Sequence, residues 1–89
     1  MSKKQYEVVF KKSAVKDLES LPKKIQQTML EAIQLLRLNP FTQLLHIKKM
    51  KGTQDLYRVR IGDYRIIYLI ENQLIKVTII KIGHRQNVY

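Results

Sequence analysis

The sequence predicts an α+β domain of order β-α-α-β-β-β, with a helical hairpin laid on one face of an antiparallel sheet. Three observations carry that expectation. An apolar stripe of helical period runs from residue 21 to residue 36, two alternating runs are joined by Gly62-Asp63, and β-branched stretches stand near both ends. Eighty-nine residues suffice for one modest core and not for two. No repeat, low-complexity run or linker divides them, so residues 1–89 are expected to form a single domain.

Taken in order, Tyr6-Glu7-Val8-Val9-Phe10 is short, β-branched and aromatic, and reads as the first strand. Lys11-Lys12-Ser13 breaks it, and Ser13 is the expected N-cap of a short helix running to about Ser20. Ala14, Leu18 and Leu21 share one face of that helix. Pro22 suits the first turn of a second helix, where its missing N–H is no loss. Leu21, Ile25, Met29, Ala32, Ile33 and Leu36 make the buried stripe of this helix, and Asn39-Pro40 ends it. Residues 40–55 are expected to be a long connection, packed down by Phe41, Leu44, Leu45, Ile47 and Met50. Strands are expected at 57–61, 64–71 and 74–82.

Charge separates this chain from an ordinary globular domain. Seventeen Lys and Arg stand against seven Asp and Glu, a formal net charge of +10. Such an excess points to a polyanionic partner, most simply nucleic acid. No basic amphipathic segment with an exposed apolar stripe suggests a membrane surface, no run reaches the length of a spanning helix, and the N-terminus lacks the apolar core of a secretory signal. There is no cysteine, hence no disulfide framework or thiolate chemistry. These features predict a soluble, basic, cytoplasmic domain. The carboxylates (Glu7, Asp17, Glu19, Glu31, Asp55, Asp63, Glu71) show no pairing that suggests a metal or an acid–base dyad, so neither metal nor cofactor is expected. Ser13 and Thr28 have no partner that would make either a nucleophile.

The stretch YRVRIGDYRIIY, residues 57–68, holds the most specific signal. Gly62-Asp63 suits a two-residue type II′ turn, which needs glycine first. Ile61 then faces Tyr64, Arg60 faces Arg65, Val59 faces Ile66, Arg58 faces Ile67 and Tyr57 faces Tyr68. Alternation collects Tyr57, Val59, Ile61, Tyr64, Ile66 and Tyr68 on a core face, and Arg58, Arg60, Arg65 and Ile67 on the other. Like charges directly opposed are destabilising. A cluster of guanidiniums is nevertheless what a phosphodiester site requires, since their forks match phosphate oxygens and stay charged. Lys48, Lys49 and Lys51 in the connection are candidate contacts to a nucleic-acid backbone. Gly83 can break the alternation of the last strand, which leaves open the face taken by Arg85.

The segments MKG (Met50–Gly52), YRVRIGDYRIIY and IGHRQNVY (Ile82–Tyr89), in this order and spacing, resemble the RelE branch of the RelE/ParE toxin superfamily. The opening YEVVFKKSAVKDLESLP and the helix ending at Asn39-Pro40 fit as well, so the resemblance spans the chain. It implies a fold like that of small microbial ribonucleases, and the toxin half of a toxin–antitoxin pair. It further implies a metal-independent endoribonuclease that cuts messenger RNA in the ribosomal A site. The implied chemistry is attack of a 2′-OH on its own 3′ phosphodiester, leaving a 2′,3′-cyclic phosphate; only RNA carries that hydroxyl. By the same resemblance, Arg65 stabilises the charged phosphate, Arg85 serves the phosphate or leaving group, Arg58 and Arg60 form a basic pair, and Tyr89 stacks on a base or orients the 2′-OH. The family often has lysine where Arg58 and Arg60 stand. A lysine can be tuned into a base and an arginine hardly can, so Arg60 is better cast as a clamp and the base is open. His84 is a lower-ranked candidate for it, and His46 is expected to be structural or solvent-facing. The resemblance also implies a cognate antitoxin, expected to be acidic, with ribosome and messenger as further partners. The alternatives are a non-catalytic ParE-like toxin that blocks DNA gyrase, and a plain basic RNA-binding module.

Overall fold

The computed structural model describes residues 5–52 and 55–84. Strand β1 (Glu7–Phe10) leads into helices α1 (Lys12–Glu19) and α2 (Lys23–Leu38). Strands β2 (His46–Lys49), β3 (Leu56–Ile61), β4 (Tyr64–Glu71) and β5 (Lys76–His84) follow. The sheet order is β1-β5-β4-β3-β2. The two helices and the four expected strands are present.

Two features differ from the sequence reading. The sheet is mixed, because β1 runs parallel to β5 while every other pair is antiparallel. The helical hairpin delivers the chain to β2 running opposite to β1, and the three antiparallel reversals that follow bring β5 back parallel to β1. A fifth strand also forms inside the expected connection: His46–Lys49 pairs with Tyr57–Arg60. It is short and largely charged, as befits an edge strand, and only Ile47 gives it an inward apolar anchor, beside Val59.

Both helices cover one face of the sheet. Met29, Ala32, Ile33 and Leu36 of α2 and Ala14 of α1 are buried against Val59, Ile66, Tyr68, Ile70, Val77, Ile79 and Ile82. Helix α1 starts one residue before Ser13, with Lys11 at the N-cap position and no side-chain cap bond. Ser13 instead donates from Oγ to the Ile80 carbonyl at 3.5 Å. The connection is packed down as expected at Leu45 and Ile47, but Leu44 is 77% exposed. Its entry is held by the Tyr68 hydroxyl, which donates to the Pro40 carbonyl at 2.9 Å. Tyr68 stacks on Tyr57 at 6.0 Å, and Tyr57 meets Phe41 edge-on at 5.6 Å.

The turn between β3 and β4 has the expected chemistry. Gly62 has φ of 60°, and Asp63 is not among the described residues with positive φ, as type II′ geometry requires. Strand β5 carries a bulge: Ile67 pairs with Lys81 and Tyr68 with Ile79, leaving Ile80 as the extra residue. Helix α1 satisfies β5 where β1 has ended. Lys11 N–H donates to the Ile79 carbonyl at 3.0 Å, and Ile82 N–H donates to Asp17 Oδ2 at 3.1 Å. No helix of the described residues is long and apolar enough to cross a membrane.

Two predictions concern these anchors. A Cβ at position 62 meets no atom within 4 Å, so Gly62→Ala should lose only the left-handed backbone preference, about 1 kcal/mol in urea unfolding. Burial, and secondarily the adjacent Tyr57, hold the Tyr68 phenol well above its ordinary range. A phenol raised in the folded state contributes stability that is full at neutral pH and is lost as pH rises past its unfolded value of about 10. Tyr68→Phe should therefore cost about 1–2 kcal/mol at pH 7, and the gap to wild type should narrow above about pH 10.

Candidate functional site

The face of the sheet away from the helices carries the cations. Register places His46 opposite Arg60, Arg60 opposite Arg65 and Arg65 opposite Gly83, one row across four strands. The next row runs Lys48, Arg58, Ile67, Lys81. The pairing inferred from the two-residue turn is the one observed. The bulge at Ile80 determines what β5 adds. It returns Ile82 to the core, 2% exposed, and so turns Lys81 and Gly83 towards the arginine side. Gly83 has no side chain to crowd the guanidinium opposite.

Arg58, Arg60 and Arg65 line one open cleft of about 370 Å³ together with His46, Ile47 and Lys48. Arg65 is embedded in the sheet surface, with its Nε and Nη1 buried. Ile67, only 8% exposed, supplies apolar floor beside Arg58. A second cleft, of about 540 Å³, continues past Lys48 and Arg58 to Lys49, Met50 and Lys51. The three lysines thus extend the arginine cleft along the edge of the sheet, although Lys49 has the opposite parity and pairs with Tyr57. Among the described residues no carboxylate lines either cleft, and no group of three His, Asp or Glu is placed to hold a metal ion.

The remaining candidates separate. His84 pairs with Tyr64, whose side chain belongs to the helix-side face, and its ring meets the Tyr64 ring edge-on at 5.6 Å. It lines a different cleft with Asp17 and Ser20 and does not join the arginine row. Arg85 and Tyr89 lie outside the described residues. His46 joins the row unexpectedly. In sequence it falls in the expected connection, where the alternation His46-Ile47-Lys48, polar-apolar-polar, is too short to mark a strand by itself.

An array of guanidiniums in one cleft, without carboxylates among the described residues, is suited to binding a phosphodiester and to stabilising charge on its non-bridging oxygens. The array works against the fold, because Arg60 and Arg65 oppose each other directly. Arg60→Thr should raise stability by about 0.5 kcal/mol at low salt. Urea titrations at rising ionic strength should show that gain shrinking, since screening removes the repulsion it relieves.

Comparison with known proteins gives a consistent picture. Residues 8–89 match the family model described as the ParE toxin of the type II toxin–antitoxin system parDE. The chain is 34% identical over 86 residues to the toxin homologue RelE1 of Methanocaldococcus jannaschii, covering 96% of each protein. Among solved structures it is similar to a chain of the archaeal RelE–RelB complex from Pyrococcus horikoshii. There the TM-score is 0.82 and the identity 36%, with 94% of this chain and 99% of that one covered. It is also similar to a chain of the toxin–antitoxin complex RelBE2 from Mycobacterium tuberculosis. That match has a TM-score of 0.79 and 29% identity, over 91% of this chain and 99% of that one.

Proposed function

The chain belongs to the RelE/ParE family of type II toxins, and from that premise we propose that it is an endoribonuclease cutting messenger RNA on the ribosome. The observation that carries the proposal is the convergence of Arg58, Arg60 and Arg65 on one cleft free of carboxylates among the described residues. Binding alone would be served by scattered lysines. Opposed arginines on a rigid sheet cost stability and are useful where charge must be met at a fixed point.

In this reading the 2′-hydroxyl of a bound nucleotide attacks the adjacent phosphorus, and the bond to the 5′ oxygen breaks. The products are a 2′,3′-cyclic phosphate and a 5′-hydroxyl end. Arg65, embedded and facing Gly83, meets the non-bridging oxygens as negative charge builds on them. Arg60 and Arg58 clamp the phosphate and its neighbour. Lys48, Lys49 and Lys51 guide the RNA backbone along the sheet edge. Arg85 and Tyr89, by family resemblance, complete the site at the leaving group and the base. No step calls on a metal.

The relatives from Pyrococcus horikoshii and Mycobacterium tuberculosis were solved as toxin–antitoxin complexes. This chain is accordingly assigned a cognate antitoxin of its own, acidic enough to complement a net charge of +10. The family model's description as a ParE toxin favours a second reading, a toxin that traps DNA gyrase without cutting RNA.

Mapping messenger 5′ ends after incubating the purified protein with translating ribosomes separates the two. New ends that fall about 100-fold or more in Arg65→Ala, with the melting curve retained, are the expected result. Gyrase-linked DNA breaks with intact messenger would overturn the ribonuclease reading.

A further inference from the structure

We propose that His46 is the proton acceptor of the site, the base that takes the proton of the attacking 2′-hydroxyl. The inference rests on the ribonuclease reading and supplies what that reading lacks. The cleft is lined by His46, Ile47, Lys48, Arg58, Arg60 and Arg65. A guanidinium has no lone pair to offer and does not deprotonate in proteins. An ordinary lysine ammonium holds its proton until about three pH units above neutrality. Imidazole is the side chain on this wall that carries a ring nitrogen with a lone pair able to accept a proton.

Its position suits that work. His46 stands opposite Arg60, which stands opposite Arg65, so the three share one face in one row. Strands lie about 4.8 Å apart, which puts the His46 and Arg65 backbones roughly 10 Å from each other with Arg60 between them. A ribose phosphate seated over Arg60 then has the Arg65 guanidinium on one flank and the His46 imidazole on the other. Base and clamp therefore approach from different sides, and neither has to displace the other. His46 is exposed on an edge strand, open to an incoming RNA. His84 faces the helix side and rests on Tyr64.

The step balances without a co-reactant other than solvent. A neutral ring nitrogen of His46 accepts the 2′-hydroxyl proton as the 2′ oxygen forms its bond to phosphorus. The phosphorus–5′ oxygen bond breaks, and that oxygen leaves with the electron pair and takes a proton from water. The imidazolium returns its proton to the hydroxide so formed. One RNA end carries the cyclic phosphate, the other a 5′-hydroxyl, and the enzyme is regenerated.

The test measures single-turnover cutting of a defined messenger on programmed ribosomes, alongside binding to those ribosomes and thermal melting. His46→Gln is expected to cut about 100-fold or more slowly, with binding and melting unchanged. His46→Phe, which keeps a flat ring and loses the lone pair, should be equally slow, and imidazole added to the buffer should restore part of the His46→Ala rate. Cutting at the wild-type rate by either the glutamine or the phenylalanine variant would overturn the assignment while leaving the ribonuclease reading standing. So would a loss of binding that accounts for the loss of cutting, since His46 would then be a contact and not a base. A wild-type protein that binds programmed ribosomes and cuts nothing overturns both readings together.

Discussion

The pairing register between β3 and β4 is the constraint on which the rest of the molecule depends. Because side chains alternate, a slip of one residue would turn one strand over against the other, carrying either Arg58 and Arg60 or Arg65 beneath the helices and pushing either Val59 or Ile66 and Tyr68 into water. Burying unpaired guanidiniums costs several kcal/mol each, on the order of the whole stability of a small domain. The Gly62-Asp63 turn leaves no spare residue to absorb a slip, and Gly62 adopts its φ of 60° without steric cost. Core and candidate site are two readings of one alternation, so the hairpin cannot form the first and fail to present the second.

The bulge in β5 extends this logic to the neighbouring strand. Strict alternation from Val77 and Ile79 would have placed Lys81 and Gly83 under the helices and Ile82 outside. The extra residue, Ile80, reverses that parity. Beyond Ile79 the outer edge of β5 has lost β1, and there the Asp17 carboxylate of α1 accepts from Ile82 N–H. Helix α1 thereby braces the segment that brings Gly83 opposite Arg65, although it touches the other side of the sheet. A helix that reads in sequence as simple cover is tied to the geometry of the arginine row.

Legibility in the sequence followed how many constraints met at each position. The β3–β4 hairpin was readable residue by residue because turn length, glycine and alternation all agree. The stripe of α2 was readable because four buried positions recur at helical spacing. Strand β2 was not, since a four-residue edge strand with one inward apolar side chain carries no pattern of its own and exists by pairing with β3. The parallel placement of β1 beside β5 was equally silent, as strand partners are chosen by tertiary packing. The bulge at Ile80 hides within an unbroken β-branched run, where any of several residues could be the extra one. His46 was undervalued for the same reason as β2: a histidine in a loop has no direction, and pairing with Arg60 gives it one.

The cations of the two clefts divide into two physical kinds. Arg65 has two guanidinium nitrogens buried and a glycine across from it, so it is held before any ligand arrives and loses little freedom on binding one. Lys48, Lys49 and Lys51 stand on or just beyond the edge strand, exposed, on long flexible stems. Such charges draw a polyanion from a distance and are screened by salt within about 10 Å, but they cannot define where a reacting phosphorus sits. Attraction is therefore concentrated at the edge of the sheet and geometry at its middle strands. Arg58, shared by the arginine cleft and the lysine cleft, is the point at which a backbone drawn along the edge passes to the row where it is held.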